Sequence, residues 1–197
     1  MKKIIYTLFI FPLLMFSQQV SVADGATLTI GTSGSMTVSS SITTNNTGTI
    51  LITTSRANSG SLIAKSAGAD QGKGITLRRE VDGSNEWTLI GIPVTGEVSS
   101  DIDDNLRTSG SNSAIGHFDP TTGQGEYVYY TTNAERQLVN GRGYLVSPTA
   151  SGNIDITGAM PSTTVLYELQ DGTGTYGNWN LIGNPYPSYL NMTDDSG

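Results

Sequence analysis

The chain has 197 residues, of which 14% are charged, with a formal net charge of −7, 24 glycines and no cysteine. Absence of cysteine excludes disulfide staples and thiolate metal sites, and a diffuse acidity without basic runs argues against nucleic-acid and anionic-membrane partners. Glycine, serine and threonine are abundant, but aliphatic and aromatic residues recur in short alternating strings, the text of strands and turns rather than of disorder.

Met1-Lys2-Lys3, the apolar run Ile4 to Phe16 and the polar "SQQ" have the layout of a secretory signal peptide over residues 1–19, cut at Ser17, Gln18 or Gln19. That run is shorter than the roughly 20 residues of a membrane-spanning helix, although an uncleaved anchor is the alternative. No later stretch is apolar enough to span, so the expected product has no membrane span after cleavage and is secreted or held at the outer cell surface.

Residues 20–74 consist of "ATLTIG", "GSMTVSS", "GTILITTS" and "GSLIAKS", in which Leu28 and Ile30, Met36 and Val38, and Ile50 and Ile52 alternate with small polar residues. Period two puts each pair on one strand face, and glycine and asparagine clusters mark the turns. Repeating at uneven intervals of roughly eight to thirteen residues, without Asn-Gly hairpins, these strings predict a short β-solenoid-like segment, with a β-meander as the alternative.

Charge and aromatic content rise at "GITLRREVDGSNEWTLIGIPV", which opens a second domain over residues 75–197. Ile75, Leu77 and Arg79 alternate with Thr76 and Arg78, and Asp82-Gly83 turns into the strand bearing Trp87. A short helix is predicted over Ser99 to Arg107, capped by Ser or Asp. Then "AIGHFDPTTGQGEYVYYTT", "RQLVNGRGYLVSP", "GNIDITGAM" and "TTVLYELQ" read as strands joined by Asp-Pro, Gly-Gln-Gly, Asn-Gly and Ser-Gly-Asn turns, an antiparallel β-sandwich or jelly roll. Its expected core is Trp87, Leu89, Tyr127, Tyr129, Leu145, Ile154, Ile156, Val165, Tyr167, Trp179 and Leu181.

The two tryptophans occupy the same phrase, Trp-x-Leu-Ile-Gly-x-Pro, at residues 87–93 and 179–185. As strands, the phrases anchor on an indole and end at Gly-x-Pro, because proline donates no ladder hydrogen bond and holds its predecessor extended. Sugar-stacking is the functional alternative for these aromatics, and Tyr186 and Tyr189, beside Pro185 and Pro187, are the candidate ligand-binding residues.

The single histidine, His117, with Asp119 and Ser111 or Ser113, lacks the context of a nucleophile elbow, so no catalytic residue is assigned and the chain is read as non-enzymatic. Asp101, Asp103 and Asp104 are the candidate metal ligands, but they lack the spacing of a calcium loop, and helix capping and solvation explain them better. Asp194 and Asp195 are weaker candidates still. "GTGTYG" and "GRG" do not open a helix followed by lysine, so they are turns rather than phosphate cradles. No cofactor is expected.

"WTLIGIPVTG", "GRGYLV", "IDITGAM" and "GNWNLIGNPYPSYLN", in this order over residues 75–192, resemble a β-rich module of large extracellular proteins exported by type IX secretion in Gram-negative bacteria. The resemblance implies a secreted or surface-bound, adhesin-like product that engages the secretion machinery through a C-terminal sorting domain. No such domain follows Asn191, so a fragment of a longer cargo is expected, with a short paralogue as the alternative. The leading functional expectation is a non-enzymatic adhesion or scaffold module contacting a surface glycan or a host or neighbour-cell protein. The alternative is a carbohydrate-binding module of a secreted glycan-degrading enzyme.

Overall fold

The computed structural model describes residues 19–67, 74–83, 86–161 and 163–190, with the side chains of residues 65–67 left out. The expected signal peptide lies outside them save for Gln19, as do Asp194 and Asp195. The described chain is all-β, with no α-helix.

The first six strands are β1 (Val20–Val22), β2 (Thr27–Ile30), β3 (Ser35–Thr44), β4 (Thr49–Thr54), β5 (Ser61–Ala67) and β6 (Ile75–Val81). They alternate between two parallel sheets. β1, β3 and β5 form one, with Val20 opposite Ile42 and Ser35 opposite Ser61; β2, β4 and β6 belong to the other, with Thr27 opposite Thr49 and Ile50 opposite Ile75. Period-two alternation drives this arrangement: Ile30, Ile50, Ile52 and Ile75 from one sheet share a buried cluster with Val22, Val38, Ile42 and Leu62 from the other. The turns stack as well. Asp24 Oδ1 accepts hydrogen bonds from the Thr47 amide (3.1 Å) and hydroxyl (2.6 Å), and a β-carbon at Gly48 would lie only 2.6 Å from the Ala23 carbonyl oxygen. Only glycine permits that approach.

The next five strands are β7 (Thr88–Gly91), β8 (Thr108–Ser109), β9 (Asn112–Asp119), β10 (Glu126–Thr131) and β11 (Gly143–Val146). They make an antiparallel sheet in the order β10-β9-β11-β7, with β8 also on β9. β12 (Gly152–Gly158) then returns to pair antiparallel with β6, so β6 lies between β4 and β12. The expected helix over 99–107 is instead two 3₁₀ turns, Ser99–Asp101 and Asp103–Asn105. Between them the buried Ile102, at φ −120°, interrupts the helical path because its side chain is drawn into the core.

The expected core is only half right. Ile154 and Ile156 are buried, and Leu145, Val165, Tyr167 and Leu181 are half-buried, but Trp87, Leu89, Tyr127, Tyr129 and Trp179 are exposed. In the antiparallel sheet the alternation is real and its phase is reversed. Ile90, Ile92 and Val94 form a longer aliphatic series than Trp87 and Leu89, and together with Ile115, Tyr130, Tyr144 and Val146 they take the inner face. "TTVLYELQ" forms no ladder: Val165 N–H donates to the Tyr186 hydroxyl (3.0 Å), and the Asn180 amide side chain pairs both backbone groups of Gln170 (3.0 and 2.8 Å). Side chains there take the place of a neighbouring strand, and Leu166 is left 90% exposed.

The second Trp phrase is likewise not a strand. Residues 181–183 make one antiparallel bridge, Arg142 to Ile182, and the chain then crosses to the parallel region as a strap. Leu62 N–H on the edge strand β5 donates to the Pro187 carbonyl (2.7 Å), and the Tyr189 hydroxyl donates to the Ser59 carbonyl (2.6 Å). β12 on one sheet and Pro187 on the other thereby cover the edges that β6 and β5 would otherwise leave open.

Candidate binding face and cleft

Leu89, Leu145, Gly116 and Tyr129 form one row across the four strands of the antiparallel sheet, on its outer face. Gly116 is the gap in that row. A β-carbon there would lie 3.0 Å from the Tyr129 ring, so the absence of a side chain lets the tyrosine approach the strand closely. The Trp87 indole reaches to within 5.6 Å of the Tyr129 ring, tilted by 44°, and Phe118 and Tyr127 meet edge to face at 5.5 Å. Trp87 remains 47% exposed and Leu89 55%, so these rings form an open ledge on a hydrogen-bonded sheet. Partial burial and the neighbouring Tyr127 raise the Tyr129 hydroxyl above its ordinary pKa, so it stays a neutral donor and acceptor at physiological pH.

Below the ledge, between β4, β6, β7, β12 and the strap, lies a cleft of about 170 Å³. Thr54, Arg79, Leu77, Leu89, Tyr186 and Ser59 are among its walls. Tyr186 is set by an Asx turn, its amide donating to Asn184 Oδ1 (2.9 Å), and by the bond from Val165 to its hydroxyl. Arg79 Nη1 donates to the Ser55 carbonyl (3.1 Å). The Thr54 hydroxyl is buried and has no hydrogen-bond partner among the described residues.

Of the expected ligand-binding tyrosines, Tyr186 lines this cleft, and Tyr189, mostly exposed, is tied to its wall through Ser59. Arg79 and Thr54 are functional candidates the sequence reading did not name. The signal was present, because Arg79 stands in phase with Ile75 and Leu77, where a cation is out of place.

Asp101, Asp103 and Asp104 do not converge. Asp103 is buried, its carboxylate accepting the Asn133 amide (2.7 Å), whereas Asp101 and Asp104 are exposed. Among the described residues no group of three or more acidic or histidine side chains could hold a metal ion. The His117 constellation is not assembled either. Asp119 spends both oxygens on its own turn, accepting from the Thr121 amide and hydroxyl (2.8 and 2.7 Å) and the Thr122 hydroxyl (2.8 Å). Ser113, four residues from His117 on the same strand, is about 13 Å along it. Burial, then the nearby Arg142, hold the His117 imidazole below its ordinary pKa, with Asp119 pulling weakly the other way. It packs against Tyr130 and Tyr144 at 5.6 and 6.4 Å.

The fold and site thus define an all-β protein with an open aromatic ledge and an adjoining cleft. The family model described as "Domain of unknown function (DUF8693)" matches residues 12–194, and the chain belongs to that family. No curated protein and no solved structure matches it.

Proposed function

We propose that this chain is a non-enzymatic, extracellular or cell-surface β-module that acts in adhesion, and that the outer face of its antiparallel sheet is the adhesive surface. The observation that carries this reading is the exposed Trp87, Tyr127 and Tyr129 on one rigid face. Large apolar rings left in water on a well-ordered sheet are unusual unless something covers them. Rings with polar hydroxyls suit sugar faces, whose C–H groups stack on aromatics while their hydroxyls hydrogen-bond at the edges. Glycan is therefore the favoured ligand over protein. The same face supports the second reading, a carbohydrate-binding module carried by a secreted glycan-degrading enzyme.

Architecturally, strands that alternate between two parallel sheets with stacked turns favour a short β-solenoid-like segment over residues 20–74, followed by a sandwich-like module over 75–197. In this reading β6, paired on both sides, is the joint between them. The signal-peptide text and the type IX resemblance support a secreted or surface-held protein of a Gram-negative bacterium. Among the described residues no helix is long and apolar enough to cross a membrane.

Affinity electrophoresis through gels cast with neutral polysaccharides, alongside a glycan array, tests the adhesive surface. The wild-type protein is retarded by at least one glycan, and Trp87→Ala with Tyr129→Ala abolishes the retardation without changing the fold measured by circular dichroism. Retardation undiminished in the double variant moves the ligand elsewhere, and no retardation by any glycan removes the sugar reading.

A further inference from the structure

We propose that the cleft beside Arg79 holds a single carboxylate-bearing sugar, of the uronic-acid kind, at the end of a glycan whose following residues lie along Leu89 and Trp87. The proposal rests on the glycan reading of the aromatic ledge and names the class of sugar that it selects.

Arg79 is the first reason. It stands on the inner face of β6 in a row with Thr54 on β4 and Ile154 on β12, beside the aliphatic row of Ile52, Leu77 and Ile156. Arg79 is half-buried, and drawing a guanidinium partly out of water is costly unless acceptors replace the water. Two other arginines of this region are supplied with carboxylates. Arg78, its neighbour on the opposite face, is held by both oxygens of Asp155 (2.8 and 2.7 Å), and Arg56 is paired with Asp82 and Glu86. Arg79 makes no ion pair among the described residues, and its one side-chain hydrogen bond is to the Ser55 carbonyl. The fold thus keeps a forked cation at a cleft with its remaining donors open, an arrangement that suits a bidentate carboxylate.

A second, independent observation is the Thr54 hydroxyl in the same wall. Thr54 is only 6% exposed and its Oγ1 has no partner among the described residues. A buried hydroxyl left unsatisfied is unfavourable, and turning it into the cleft would let a ligand hydroxyl next to the carboxylate satisfy it. Size and charge narrow the ligand further. At about 170 Å³ the cleft is smaller than the roughly 300–1,000 Å³ of sites for drug-sized ligands and takes one ring. The net charge of −7 repels a polyanion, so a neutral chain ending in one acid fits better than a polymer acidic throughout. Leu89 joins the cleft to the ledge, since it lines the one and lies two residues from Trp87 on the other.

Isothermal titration of a glucuronic-acid-terminated oligosaccharide against its carboxyl-reduced, glucose-terminated counterpart tests this on the unaltered protein. The acid form binds about tenfold or more tightly, as expected for one charge-assisted pair. Arg79→Gln erases that preference, so that the acid probe binds no more tightly than the neutral one. Arg79→Lys, which keeps the charge without the fork, retains only part of it. Thr54→Val, close in shape to threonine and free of the unsatisfied hydroxyl, weakens both probes a few-fold and serves as the folded control. Equal binding of the two probes overturns the acid subsite and leaves the adhesive ledge standing. Binding of neither, in a protein that is folded, overturns both.

Discussion

The two Trp-x-Leu-Ile-Gly-x-Pro phrases carry nearly the same text into different structures. At residues 87–93 the phrase enters a ladder as β7, paired residue for residue with β11 from Gly91–Gly143 to Thr88–Val146. At 179–185 it makes a single bridge and becomes a strap. The difference lies in the neighbours rather than in the phrase. The first copy continues into Ile92 and Val94, both buried, and has a strand waiting beside it. The second continues into Asn-Pro-Tyr-Pro, where two prolines remove ladder donors and the chain is bound by side chains and carbonyls instead. What the copies share is the glycine. A β-carbon on Gly183 would lie 2.7 Å from the Gly91 Cα and 2.8 Å from the Arg142 carbonyl oxygen, so the two phrases cross glycine on glycine.

That crossing is the place to break the pair, and the largest effect is expected there. Gly183→Val sets a branched side chain against backbone atoms that cannot move without separating strap from sheet, and about 3 kcal/mol of stability should be lost. Gly91→Ala meets its nearest neighbour, the Asn184 nitrogen, only at 3.0 Å and should cost about 1 kcal/mol. Urea midpoints measure both. Equal effects would mean that the two glycines are equally tightly packed, against the closer approach at Gly183. Next comes Asn140, whose Nδ2 donates to Ile92 of the first copy (2.7 Å) and Pro185 of the second (2.9 Å). Asn140→Ala leaves buried carbonyls unsatisfied at about 1–3 kcal/mol. It should be non-additive with Gly91→Ala by more than about 0.5 kcal/mol in a double-mutant cycle.

The tryptophans sharpen the comparison with smaller effects. Trp87 touches Tyr129, so Trp87→Ala should cost about 1 kcal/mol. Trp179, 68% exposed, has an edge contact with the likewise exposed Tyr176, and Trp179→Ala should stay within about 0.5 kcal/mol. A larger loss at Trp179 than at Trp87 would restore the sequence expectation that the second indole anchors the fold.

How much of this was legible depends on which residues competed. In the parallel region the alternation is between aliphatics and small polars, as at Leu28 and Ile30 within "ATLTIG", and only one phase can be buried; it is read correctly. Around Trp87 both phases are apolar. Periodicity identifies which residues share a face, not which face is inward, and aromatic bulk was a poor guide against the aliphatic series of Ile90, Ile92 and Val94. The strand expected at 163–170 failed for another reason: its pattern is sound, but a strand needs a partner, and partner choice is not local. Tyr186 at the cleft was legible from its freedom between two prolines, whereas Thr54 came to Arg79 only through the parallel pairing of β4 with β6, strands that β5 separates in sequence but not in space.

The smallest expected effect separates the two copies by pH. His117 has a folded pKa below its ordinary value of about 6.5, through burial and the adjacent Arg142. Between those two values the unfolded chain binds a proton that the folded chain refuses, so stability is greatest above about pH 6.5 and declines as pH falls through that window. Protonation in the fold places a second positive charge near Arg142, and Arg142 is where the strap begins, bridged to Ile182 and hydrogen-bonded through Nε to the Tyr167 hydroxyl at 3.2 Å. The first copy's ladder partners run from Gly143 to Val146, so it adjoins His117 through the neutral Tyr144 rather than through Arg142. Acid should therefore loosen the second copy before the first. Amide hydrogen exchange, corrected for the intrinsic pH dependence, should show protection at residues 181–183 falling between pH 7 and pH 5 while that of β7 holds. His117→Gln should flatten the difference. Between pH 7 and pH 5 Asp119, whose pKa is lowered chiefly by the Thr121 hydroxyl, remains ionised and does not contribute.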